Sequence, residues 1–185
     1  VKALLEECYD EICPPNADFI MGHPMAGGEK EGFASSKGEF FINHNYILID
    51  KPNNIASKIH KENFELFQLL IHKMGFSKIT ITDSDTHDNK IGFTSQLCHV
   101  VASAMVESAE DEQITSFGGG SFEDLTRIAM INAPLWTELF LSNKEKLVNH
   151  IESFKNQKTG AVPSELLFTS KKYAIIRDSS GLIIY

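Results

Sequence analysis

The pattern of apolar residues changes near Asp83, and this change limits the possible folds of the 185-residue chain more than any other feature. Before Asp83, short apolar runs alternate with one long helical stripe, a pattern typical of α/β structure. After Asp83, apolar and small residues recur at helical spacing. The sequence therefore predicts an α+β chain, with an α/β segment at 1–83 and a mainly helical segment at 84–185.

The first segment is predicted to contain two helices and three strands. A helix at 2–12 ends before Pro14-Pro15, because proline cannot continue a helix. The other predicted elements are strands at 18–22, 45–50 and 78–82 and a helix at 57–74 that stops at Gly75. The first strand would present the segment from His23 to Gly28 at its C-terminal end.

The second segment is predicted to be helical until a hairpin near its end. Ser121 is expected to cap a helix that starts at Phe122, with Asp124 in the capping-box position. The other predicted elements are helices at 87–110 and 144–154, a helix start at 132–134, and a hairpin that pairs 173–177 with 182–185.

Composition excludes several classes of protein. A net charge of -8 argues against a general nucleic-acid surface, and no apolar run approaches the ~20 residues of a membrane span. The three cysteines, Cys8, Cys13 and Cys98, form no C-x-x-C pair, which favours a reducing, cytoplasmic setting. We therefore expect neither a nucleic-acid partner nor a membrane.

Two catalytic classes also lack their motifs. The seven histidines show no H-x-x-x-H or H-E-x-x-H spacing, so no metal site is expected. The G-x-S-x-G elbow of serine hydrolases is absent as well.

The segment from Gly22 to Glu29 is the strongest candidate for a ligand site. A histidine at a strand end, followed by small residues, leaves room for a ligand against the backbone. A lone histidine in a turn is more often structural, so the context of His23 must decide. Arginine, which grips carboxylates with a planar fork of donors, occurs only at Arg127 and Arg177.

Several motifs, all in the same order, resemble the prephenate dehydrogenase family over roughly residues 18–154. They are Gly22-His23-Pro24-Met25-Ala26-Gly27 with Glu29 and Gly32, Thr86-His87-Asp88, Ser95 to His99, Gly118 to Ala129, Pro134-Leu135-Trp136 and Asn143-Lys144. The resemblance implies a partial Rossmann-type segment at 1–83, the end of a dinucleotide-binding domain. It also implies a helical substrate-binding and dimerisation domain at 84–185.

The activity implied by the resemblance is oxidative decarboxylation of prephenate to 4-hydroxyphenylpyruvate in tyrosine biosynthesis, with NAD or NADP as hydride acceptor. Arogenate, which has an amine in place of the side-chain keto group, is the alternative substrate. A non-catalytic dimerisation or ligand-binding module is the alternative of a different class.

By the same resemblance, His23 is the general base that binds the substrate's 4-hydroxyl group, and Arg127 holds a substrate carboxylate. An exposed Arg127 paired with Glu123 on a helix is the structural alternative. The segment 95–99 departs from the family pattern S-H-L-P-H, because Gln96 and Cys98 replace its first histidine and its proline.

Four further residues are expected near the substrate by resemblance. His99 would line the pocket, Glu29 would join an ionic network at its mouth, and Gly120 would let backbone approach the ligand. Trp136 would reach toward the partner subunit of a homodimer. The structural alternatives are a buried helix histidine, a solvated glutamate, a loop hinge and a core tryptophan.

A nicotinamide enzyme needs a glycine turn of the type G-x-G-x-x-G, and this sequence contains none. The chain also starts at Val1 without an initiator methionine, as expected of a fragment, a recombinant piece or a processed product. We therefore expect this chain alone to bind cofactor weakly and to be inactive. The hairpin departs from the helix usual in the family after Phe154, and its apolar residues favour a homodimer.

Overall fold

A computed structural model describes residues 1–14, 17–28, 32–50 and 58–156, together with two short strands at 176–177 and 183–184. The chain forms two compact units, Val1–His150 and Ile151–Tyr185. None of the described helices has the length and apolar composition that crossing a bilayer requires.

The first unit opens with helix α1 (Lys2–Ile12) and a three-stranded sheet. The sheet order is β1 (Met21–Pro24), β2 (Asn45–Ile49) and β3 (Lys78–Thr82). Strand β2 runs antiparallel to β1, with Ile47 opposite His23, and parallel to β3. The crossover between the parallel strands is helix α2 (Lys58–Lys73), and Gly75, with φ of 100°, follows it as predicted.

The apolar core of this sheet consists of Leu48, Ile71 and Phe76. Tyr46 packs edge-on against both Phe67 and Phe76, with ring centroids 6.0 and 5.1 Å apart. These contacts fix β2, and through its pairing they fix the position of β1.

The rest of the unit is helical. Its helices are α3 (Ser84–Ile91), α4 (Cys98–Glu107), α5 (Gly120–Thr126) and α6 (Ala133–Ser142), followed by α7 (Lys144–Asn156), which continues into the second unit. A π-helical segment, Gly92–Leu97, joins α3 to α4, and short 3-10 turns span Glu112–Phe117 and Arg127–Ala129. The predicted helix start at Asn132 is confirmed, since its side chain accepts a hydrogen bond from the Leu135 N–H.

Three sequence predictions need correction. Strand β1 begins at Met21, so His23 lies within the strand rather than after it. Helix α3 begins at Ser84 because the Asp83 side chain caps it, accepting from the Thr86 N–H at 2.8 Å. The predicted Ser121 cap is wrong: the extended backbone of Gly119 caps α5, and its carbonyl accepts from Phe122 and Glu123.

In the second unit, Ile176–Arg177 (β4) pairs antiparallel with Ile183–Ile184 (β5). This pairing matches the predicted hairpin strands at those four residues. The turn and the remainder of the predicted hairpin lie outside the described residues.

Candidate active site

His23 is half-buried in β1 and directly follows Gly22. Any larger residue at position 22 would force neighbouring atoms to move. A Cβ on Gly22 would lie 2.5 Å from both Cε1 and Oη of Tyr46. Tyr46 is itself held by the core aromatic rings. The close contact between the Gly22 backbone and Tyr46 therefore helps to set where His23 sits.

His23 faces a second histidine, His87, on helix α3. Its Nδ1 lies 2.8 Å from Nε2 of His87, and Nδ1 of His87 lies 2.8 Å from Oδ1 of Asp88. His87 and Asp88 are only 4% and 2% exposed. The backbone N–H groups of Lys2 and Ala3 donate to the two oxygens of Asp88 at 2.8 and 2.9 Å. We call the three residues His23, His87 and Asp88 the His–His–Asp triplet.

Burial is the main cause that lowers the pKa of His23 from 6.5 to about 4, and the adjacent His87 is the next. At neutral pH the His23 ring is therefore uncharged. Burial would raise the pKa of Asp88, but hydrogen bonds from His87, Lys2 and Ala3 outweigh it and hold that pKa below its usual value. The uncharged His23 ring, linked through His87 to the single ionised carboxylate of Asp88, has a nitrogen lone pair that can accept a proton.

A buried amide bridge holds the helix that carries the triplet. The Asn143 side-chain amide donates to the Asp88 carbonyl at 2.9 Å and to Gln96 Oε1 at 2.8 Å. Gln96 in turn donates to the Leu139 carbonyl at 2.9 Å. The π-helical segment that includes Gln96, a feature often found at functional sites, turns this side chain toward α6. Asn143 thus ties the α6–α7 turn to α3, and Gln96 ties the π-helical segment to α6.

His99 lies at the start of α4 and stacks on Trp136 of α6, with ring centroids 3.7 Å apart and an interplanar angle of 30°. Its Nδ1 donates to the Ser95 carbonyl at 2.9 Å. Trp136 also contacts Phe140, with centroids 5.4 Å apart. Both His99 and Trp136 are half-buried, so each keeps an accessible edge.

Arg127 begins the 3-10 turn Arg127–Ala129, which packs against α4, the helix that carries His99. The Arg127 side chain is exposed. Gly120 is the exposed first residue of α5, and a Cβ there would meet nothing within 4 Å. Glu29 lies outside the described residues.

The structure thus gathers the sequence-predicted residues into two groups. His23 joins the triplet, while His99 and Trp136 stack, with the Arg127 turn packed on α4, the helix of His99. Sequence reasoning assigned no role to His87 and Asp88, although it used both for the resemblance. The available signal was a His-Asp pair in the first turns of a helix. Within the described part of the chain, no cluster of three or more His, Cys, Asp or Glu residues could hold a metal ion.

Family comparisons agree across the two segments. The model described as "Prephenate dehydrogenase, nucleotide-binding domain" matches residues 1–73, and "Prephenate dehydrogenase, dimerization domain" matches residues 83–162. The prephenate dehydrogenase of Lactococcus lactis subsp. cremoris is 35% identical over 74% of this chain and 36% of its own length. That of Bacillus subtilis is 28% identical over 83% of this chain and 41% of its own length.

Among solved structures, the chain is similar to the prephenate dehydrogenase of A. aeolicus in complex with hydroxyphenyl propionate and NAD+. The two are 30% identical with a TM-score of 0.63, over 74% of this chain and 48% of that chain. The chain thus spans less than half the length of each of these relatives.

A nicotinamide dinucleotide, which these relatives imply, finds no phosphate cradle among the described residues. Phosphates of such cofactors sit on a glycine turn between a strand and a helix. The connection from β2 to α2, residues 50–57, contains no glycine. The connection from β3 to α3 is Asp83 alone, whose carboxylate already caps the helix and would repel a phosphate. The described residues therefore do not fit the cofactor's pyrophosphate.

Proposed function

The chain belongs to the prephenate dehydrogenase family, and from this premise we propose that the protein it represents converts prephenate to 4-hydroxyphenylpyruvate. In that reaction a hydride leaves C4 for a nicotinamide coenzyme and the ring carboxylate leaves as carbon dioxide. The 4-hydroxyl proton is taken up as the C4 oxygen gains carbonyl character, and it returns when the ring becomes a phenol.

The observation that carries the proposal is the environment of His23. Its Nδ1 is occupied by His87, its pKa is lowered to about 4 by burial and by His87, and its ring is half-buried. A general base must be neutral and within hydrogen-bond reach of its proton, and such a base contributes about 10²–10⁴-fold to rate. We assign to Nε2 of His23 the contact with the substrate's 4-hydroxyl group.

Arg127 is proposed to bind a substrate carboxylate. An exposed guanidinium offers two parallel N–H donors to a carboxylate, and such charge-assisted pairs are stronger than neutral hydrogen bonds. Its turn packs on α4, so a carboxylate held by Arg127 would lie near the helix of His99. His99, Trp136, Gly120 and Glu29 are proposed to line the same substrate site.

A homodimer is proposed on the exposed apolar side chains of the helical segment. Phe117 is 86% exposed and Met130 is 95% exposed, and they lie on either side of Arg127 in sequence. Large exposed apolar patches on a protein often mark a surface that another chain covers. The match of residues 83–162 to a dimerisation domain supports a second copy as that cover. Light scattering of this chain at micromolar concentration should give twice the monomer mass, and a monomer would contradict the proposal.

The proposed activity is tested by assaying the complete gene product with prephenate and with arogenate, each with NAD and with NADP. We expect coenzyme reduction with prephenate and release of carbon dioxide in equal amount. Coenzyme reduction with arogenate but not with prephenate would identify arogenate as the substrate of the same type of reaction. No reduction in any of the four mixtures would overturn the proposal. The isolated 185-residue chain is expected to be inactive because its sequence contains no G-x-G-x-x-G turn.

That missing glycine turn favours a second candidate, a non-catalytic dimerisation or ligand-binding module. A gene product that contains the turn upstream supports the enzyme, and one without it supports the module. We further propose a cytoplasmic location, on the basis of the free thiols of Cys8, Cys13 and Cys98.

A further inference from the structure

We propose that His87 and Asp88 are positioning residues that fix the tautomer of His23, so that its Nε2 carries a lone pair toward the ligand. The inference deepens the proposed function, because it rests on His23 being the base. It concerns a buried pair to which the family motifs assigned no role in the sequence analysis.

The hydrogen bonds to Asp88 indicate that its carboxyl group is ionised. Its Oδ1 receives the N–H of Lys2 at 2.8 Å and faces Nδ1 of His87, and its Oδ2 receives the N–H of Ala3 at 2.9 Å. A carboxyl group with both oxygens accepting is the ionised form, since a protonated one would have to donate. The two N–H groups also belong to the first turn of α1, where the positive end of the helix dipole favours an anion.

The ionised carboxylate determines which ring nitrogens of His87 and His23 carry protons. Because Asp88 only accepts, Nδ1 of His87 carries a proton. The Lys2 ammonium already interacts with the Asp88 charge, so a second cation at His87, which is 4% exposed, would be uncompensated. A neutral His87 therefore has a bare Nε2, which accepts from Nδ1–H of His23 across 2.8 Å. The one remaining nitrogen of His23, Nε2, is left with its lone pair.

The fixed tautomer of His23 has a consequence for proton transfer. A neutral imidazole carries its proton on only one nitrogen, so an unrestrained His23 would present an N–H to a hydroxyl ligand part of the time. The triplet removes that state. When Nε2 takes a proton, the positive charge forms one ring away from the buried Asp88 carboxylate. A carboxylate plays the same orienting part for the histidine of serine proteases.

The test reads the His23 tautomer directly in this chain by ¹H–¹⁵N correlation NMR of its imidazole nitrogens at pH 7. The His23 signals are identified by their loss in His23→Gln. We expect a protonated Nδ1 and an unprotonated Nε2. An Nε2–H form in the wild-type chain would overturn the inference without reference to any substrate.

Two substitutions at His87 sharpen the test. In His87→Phe the acceptor is gone, and His23 should shift toward the Nε2–H form. In His87→Gln the side-chain oxygen can still accept from Nδ1–H, so the tautomer should be retained. His72→Gln, on the exposed side of α2, is the matched control and should leave the His23 signals unchanged. An unchanged tautomer in folded His87→Phe would contradict the role of His87. If His87→Phe does not fold, the wild-type and His87→Gln spectra still decide.

The complete gene product provides a kinetic arm. His87→Phe should lower kcat about 100-fold with KM within about twofold, and His87→Gln should recover most of it. Equal losses in both variants would point to a merely structural His87. If the gene product turns over neither prephenate nor arogenate, the proposed function fails while the NMR result on the tautomer still stands.

Discussion

The two ends of the continuous helical stretch from Ser84 to Glu107 differ in how deeply the side chains around them are buried. At the His87 end, hydrogen bonds within the chain engage both rings of the triplet and its carboxylate, and an amide bridge ties the helix down. At the His99 end, an aromatic stack keeps accessible edges and a nearby arginine is exposed. The first end is the proposed position of the general base. The second end is the proposed position of substrate binding.

We therefore expect the triplet to affect the chemical step, and the Arg127 and His99 end to affect substrate binding. Changes at the triplet should alter turnover with little change in binding, because they act on a proton. Changes at the Arg127 and His99 end should alter binding, because they act on contacts with a ligand or a second copy.

Replacing His23 by asparagine should have the largest effect on turnover. The amide is not a base at neutral pH, so kcat of the complete gene product should fall about 10³-fold while substrate affinity stays near the wild-type value. Steady-state kinetics together with a binding titration measure the two quantities. The matched control His72→Asn should behave as wild type. A His23→Asn enzyme with unchanged kcat would remove His23 from the mechanism.

Replacing Arg127 by alanine should weaken substrate binding. Loss of a charge-assisted carboxylate contact costs about 1.5–3 kcal/mol, so KM for prephenate should rise about 10–100-fold while kcat changes little. Arg127→Lys should not restore affinity, because an ammonium lacks the planar fork. A variant with a large loss in kcat alone would contradict the separation of the two ends.

Replacing Gly22 by alanine should destabilise the fold next to His23. The new Cβ would lie 2.5 Å from Tyr46, and overpacking of this kind lowers the free energy of unfolding by about 1–3 kcal/mol. Urea denaturation of this chain measures the change. Gly27→Ala is the control, since nothing lies within 4 Å of its Cβ, and it should be nearly neutral. Equal stability of the two variants would show that Tyr46 does not constrain β1.

Replacing Trp136 by leucine should have the smallest effect. It removes the stack on His99, an aromatic contact worth about 0.5–1.5 kcal/mol, and leaves the triplet untouched. Affinity for substrate should therefore fall about 2–10-fold with kcat unchanged. A change in the His23 NMR signals of this variant would show that the two ends are coupled.

Much of the fold could be predicted from local patterns. The bounds of α1 and of β3 agree with the predicted ones, because each has a clear period and clear stop residues. The predicted Ser121 cap is wrong because Gly119, in extended backbone, occupies the capping position and supplies the carbonyl for the first turn. The π-helical segment could not be predicted, since apolar spacing does not distinguish a single wide turn within a helix.

The candidate site could also be predicted only in part from the sequence. His23 and Arg127 could be proposed from motifs, because one sits in a glycine-rich segment and the other is one of only two arginines. The contact between His23 and His87 joins residues 64 positions apart, and no local pattern encodes it. The role of Asp88 also depends on backbone donors from α1, more than 80 residues away.

The most direct test of the account is the pKa of His23, measured in this chain by NMR titration of its ring signals. Burial and the adjacent His87 lower this pKa from 6.5 to about 4. Because the folded-state value is depressed, the unfolded chain binds the proton first, and stability should decline as pH falls from about 6.5 toward 4. A titration midpoint near pH 4 is the predicted result. A midpoint near 6.5 would mean that His23 is an ordinary solvated histidine, and it would contradict the account.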